Sequence, residues 1–106
     1  MSTVKHDDRH VYGEVENEAD LARIFDEIRQ DVRAADSRPT LTELHKRAGY
    51  LITLTYAPSW EEKFGHKAEK LRMAARDEFR RTAKIINRRA EQIGAEPNYD
   101  ESWGEK

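Results

Sequence analysis

No cysteine occurs in the 106 residues, which excludes a disulfide framework, a thiol nucleophile and thiolate metal ligands. Glycine is scarce: its 5 copies stand singly, so none of the glycine-rich loops that cradle phosphates can be assembled. No serine sits in a G-x-S-x-G turn, and no triad comes together around another nucleophile. No apolar run approaches the roughly 18 residues of a membrane span, and Met1 to His10 lack the apolar stretch of an export signal. These absences lead to the expectation of a cytoplasmic, non-enzymatic protein without a cofactor and without a membrane attachment.

Large apolar side chains are also few. Leu, Ile, Val and Phe make up 19 of 106 residues, about 18%, under the roughly 20% at which chains tend toward disorder. Disorder also wants a high net charge, and here 19 basic residues nearly cancel 21 acidic ones to leave −2. Between Asn17 and Gly94 the same four types are 16 of 78. The shortage therefore belongs mainly to the ends, and residues 1–15 and 95–106 read as a flexible N-terminal tail and an acidic C-terminal tail around a helical domain at 16–94.

What the chain has in plenty is charge, and it is segregated. Residues 1–40 carry net −4, residues 41–65 are balanced, residues 66–92 carry net +5, and residues 93–106 return to −3. A near-neutral total thus conceals a basic segment between acidic ends.

Three helices are predicted. Asn17 caps the first, with Glu18 and Asp20 at its positive dipole end; Leu21, Ile24, Phe25, Ile28 and Val32 recur at helical spacing along 17–36. The second opens on the capping box T-L-T-E at Thr40 and carries Leu41, Leu44, Ala48 and Leu51. The β-branched and aromatic run Leu51–Tyr56 leaves strand open there, with helix preferred. The third opens on S-W-E-E at Ser59 and runs to Gly94, with apolar positions from Trp60 through Phe64, Leu71 and Phe79 to Ile93. Gly65 is a possible break. Unbroken, about 34 residues would reach roughly 50 Å, which one chain could cover by laying helices one and two end to end along it, or two chains by pairing into a bundle. The thin core favours the second, an all-α, three-helix unit with a long third helix, assembling as a dimeric bundle. Leu21, Ile24, Phe25, Ile28, Trp60, Phe64, Leu71 and Phe79 are the expected packing and self-association residues.

The functional expectation is a small protein-interaction or assembly module with an unidentified protein partner. The alternative is a nucleic-acid-binding regulator using Arg72, Arg76, Arg80, Lys84, Arg88 and Arg89 of the basic helix, although the overall acidity disfavours it. Leu41–Tyr50 resembles the first helix and turn of a helix-turn-helix, with Gly49 at the turn position. Against that match, His45 stands where a small residue is usual and Pro58 cuts a recognition helix short. Glu62, His66 and Glu69 share one face if the third helix is continuous, but a solvated face is the preferred reading and no metal site is assigned. His6 and His10 could collect a metal only adventitiously.

Overall fold

In the computed structural model the described residues are 15–102. Helix α1 spans Glu18–Ala34, α2 Arg38–Leu54, α3 Pro58–Phe64 and α4 Ala68–Gln92, with a single 3-10 turn at Gly65–Lys67. The architecture is all-helical as expected, with three long helices, the last of them longest, and no strand among the described residues. Among these residues no helix is long and apolar enough to cross a membrane. His6 and His10 lie outside the described residues.

Helix α1 starts where its cap was read. The Asn17 Oδ1 accepts from the Asp20 backbone N–H at 2.9 Å, and Asp20 in turn accepts from the Glu16 N–H at 2.8 Å. Two otherwise unpaired donors are thereby satisfied at one helix end. The other two starts differ from expectation. The cap of α2 is Ser37, whose Oγ accepts from Thr40 N, so the helix begins before Thr40. Pro39 is accommodated in its first turn, where a missing N–H costs nothing. Helix α3 begins on Pro58, after Ala57 rather than on Ser59, with no side-chain cap.

Leu51 to Leu54 are helical, because the spacing of Leu44, Ala48, Leu51 and Ile52 places all four in the core. Helix α2 passes through Gly49 without a turn, so the helix-turn-helix resemblance does not extend to three dimensions. Thr55 closes α2 by donating its hydroxyl to the Ile52 carbonyl at 2.7 Å.

The expected third helix is broken at Gly65, whose φ of 56° and ψ of −128° suit glycine alone. Trp60 fixes the bend: its indole N–H donates to the Ala68 carbonyl at 3.2 Å, and its ring meets Phe64 at 4.5 Å between centroids. Helix α4 is therefore 25 residues, roughly 37 Å at 1.5 Å per residue. That matches the 43 Å long dimension of the molecule.

Helices α1 and α2 both pack on α4, so one chain closes its own core. Along α4 the buried positions alternate small and large: Ala68, Leu71, Ala75, Phe79, Ala83, Ile86, Ala90. Alanine lets neighbouring helices approach closely, and the larger residues fill the space between layers. The few large apolar residues of α4 are thus placed between alanines on its buried side.

Candidate interaction surface

Seven of the eight residues expected to support self-association are interior to the single chain. Leu21, Ile24, Phe25, Ile28, Trp60, Leu71 and Phe79 are buried, and Phe64 is half-buried against the same core. The large apolar residues left exposed among the described ones are Tyr56 and Met73. The surface is accordingly polar, and its charge pattern is its main feature.

Arg29 of acidic α1 and Glu78 of basic α4 form an ion pair between the two helices, with Arg29 donating at 2.9 Å. The same Arg29 nitrogen reaches the Thr82 hydroxyl at 3.1 Å. Three carboxylates of α1 are engaged within the helix, Asp20 and Glu27 with Arg23 and Asp26 with Arg29.

The six cations expected to contact nucleic acid have different fates. Arg72 is buried: its Nε donates to the Thr55 carbonyl at 2.8 Å, its Nη2 to Glu61 at 2.6 Å and its Nη1 to Glu69, with the guanidinium over the Tyr56 ring. The hydrogen bond to Glu61 holds its pKa above the already high arginine value, against the opposing effect of burial. Arg72 is a latch between the α2 end, α3 and α4, not a surface cation. Arg89 is likewise partly committed, donating from Nε to the Ala35 carbonyl at 2.8 Å and from Nη1 to Gln92 at 3.0 Å. Arg76 donates to the Tyr56 hydroxyl and Arg80 pairs with Asp77 at 3.3 Å. Lys84 and Arg88 are exposed with no ion pair among the described residues.

Two cations not singled out by sequence join this face. Arg81 is 69% exposed, only loosely paired with Glu78 at 3.7 Å. Arg33, from the last turn of α1, lines a hollow of about 310 Å³ with Ile85, Arg88, Arg89 and Gln92. A second, shallower hollow of about 200 Å³ lies between Asp77, Arg80, Arg81 and Lys84. Arg33 was hidden by its acidic sequence neighbours; only the α1–α4 packing brings it to the basic face.

Residues 95–102 do not trail away as a tail. The Asn87 side chain pairs with both backbone groups of Tyr99, accepting from its N–H at 2.8 Å and donating to its carbonyl at 3.0 Å. The Tyr99 ring is half-buried against the core, its hydroxyl 2.8 Å from that of Thr42, with the Arg38 guanidinium over its face. Buried His45 holds the Asp100 carbonyl through Nε2 at 2.8 Å. The segment straps α2 to α4.

Glu62, His66 and Glu69 fall on three different elements, α3, the 3-10 turn and α4, so the break at Gly65 removes the helical register that would have aligned them. Among the described residues no group of three His, Asp or Glu side chains converges as a metal site. No protein-family model matches this chain, and no curated protein or solved structure matches it either.

Proposed function

We propose that this chain is a small, non-enzymatic interaction module whose contact surface is the basic outer face of α4, docking an acidic surface of a protein partner. The observation that carries the reading is the pair of outward cations Lys84 and Arg88, which have no carboxylate partner among the described residues, while Asp20, Asp26 and Glu27 of α1 pair within their own helix. Apolar docking is disfavoured because the large apolar side chains are spent inside the chain. Such a surface selects partners by charge and speeds encounter more than it adds affinity. A cytoplasmic setting accompanies this reading.

The test is a chromatographic and pull-down comparison of the native protein with Arg81→Glu/Lys84→Glu/Arg88→Glu. Loss of the same specific partner from the triple variant, with unchanged helicity, supports the proposal; retention of that partner removes it.

A nucleic-acid reading is favoured by the spread of Lys70, Arg81, Lys84 and Arg88 along one exposed side of α4, a span of roughly 27 Å at 1.5 Å per residue. It requires duplex or single-stranded binding that weakens steeply with salt. Fluorescence anisotropy across a salt series decides between the two partners. The dimer expected from sequence would need a surface other than the seven buried residues.

A further inference from the structure

The hollow at the C-terminal end of the basic face has a chemistry that neither partner reading requires. Three arginines, Arg33, Arg88 and Arg89, line one space of about 310 Å³ beside Ile85 and Gln92, with no carboxylate in the lining among the described residues. Arg33 and Arg88 have no hydrogen-bond or ion-pair partner among those residues. Arg89 is held in place through Nε and Nη1 by the Ala35 carbonyl and Gln92, which leaves its Nη2 hydrogens unspent.

The carbonyl ends of α1 and α4 offset part of the repulsion among these three like charges, and an anion in the hollow relieves the rest. The planar fork of each guanidinium matches phosphate oxygens. A formal +3 is balanced better by a dianionic phosphate monoester than by a single carboxylate or a backbone diester. The volume stands near the lower end of ligand pockets, roughly 300–1,000 Å³, enough for a phosphate group and a small attached moiety. We infer that the Arg33–Arg88–Arg89 hollow binds the phosphate of a phosphate monoester.

Two sources of that group are possible, a small metabolite or a phosphorylated side chain. The experiment is an amide and arginine Nε–H NMR titration of the full chain at fixed ionic strength. Separate arms use inorganic phosphate, glycerol phosphate and a phosphoserine peptide beside its unphosphorylated counterpart. Saturable shifts at Ile85, Arg88, Arg89 and Gln92 are expected. Arg33→Ala/Arg88→Ala should weaken binding about tenfold or more, while Lys67→Ala/Lys70→Ala, removing equal charge elsewhere, should change it less than about twofold. Arg88→Gln serves as a milder second variant should the double change disturb the fold. Saturation by glycerol phosphate or by the phosphopeptide alone supports the inference and identifies the source. Shifts reproduced by chloride, equal weakening in both double variants, or binding of inorganic phosphate only would overturn it.

Discussion

Arg29 and Arg72 are both arginines of nearly buried position, yet they stabilise the molecule differently. Arg29 and Glu78 are 13% and 17% exposed, so each is largely withdrawn from water, with Asp26 and Arg81 as more distant second partners. Removing one partner of such a pair leaves a half-compensated, poorly hydrated charge, at a cost of about 1–2 kcal/mol. Arg29→Ala should therefore lower unfolding free energy by about that amount in urea titrations, whereas the joint change Arg29→Met/Glu78→Met should cost distinctly less. Arg72 is buried but its carboxylate partners are 59% and 68% exposed, so Glu61 and Glu69 can return to water when it is removed. Its folded-state pKa is raised, so the stability it contributes is fully present below the unfolded arginine value and lost only above the folded one. Urea midpoints between pH 6 and 9 should accordingly show no pH-dependent contribution from Arg72.

At the scale of the element, the apolar stripes of α1 and α4 were legible because a 3.6-residue period needs no partner to be recognised. The starts of α2 and α3 were not. The boxes at Thr40 and Ser59 have the right letters, but Pro39 and Pro58 each fit a first turn, and the helices begin around them. The bend at Gly65 depends on a positive φ that sequence only permits and Trp60 makes specific. Gly65→Ala should cost roughly 1–3 kcal/mol through that conformation, although a Cβ there would meet nothing within 4 Å. Differential scanning calorimetry measures the loss, and a fall of under a few tenths of a kcal/mol would contradict a strained site. The strap was invisible for a different reason: it rests on contacts from Thr42, His45 and Asn87, polar residues whose convergence is set by tertiary packing. Asn87→Ala removes the pairing of both Tyr99 backbone groups, so hydrogen exchange of the Tyr99 amide should accelerate by at least about tenfold, with little change at Phe79. Unchanged exchange at Tyr99 would show that the strap is held without Asn87.

For the whole molecule, charge segregation was readable by counting, but its spatial meaning was not. The basic segment does face outward at Lys84 and Arg88, while Arg72, counted among the same cations, is interior and Arg33, counted among the acidic stretch, is not far from them. Self-association is expected from a thin core and a long third helix, and seven of the eight residues expected to carry it are buried within one chain. Light scattering at micromolar concentration should return the 12.4 kDa of one chain; a concentration-independent value near twice that would show an interface outside the helical core.

The closing of α1 against α4 has a consequence for synthesis. Val32 and Ile86 share one core cluster, yet the ribosome makes them 54 residues apart, roughly 3–11 s at about 5–20 residues per second. Through that interval the apolar face of α1 has only α2 to shelter it. The nascent chain is most vulnerable just before its basic helix emerges, when the charged outer face of α1 is what opposes association of its apolar side.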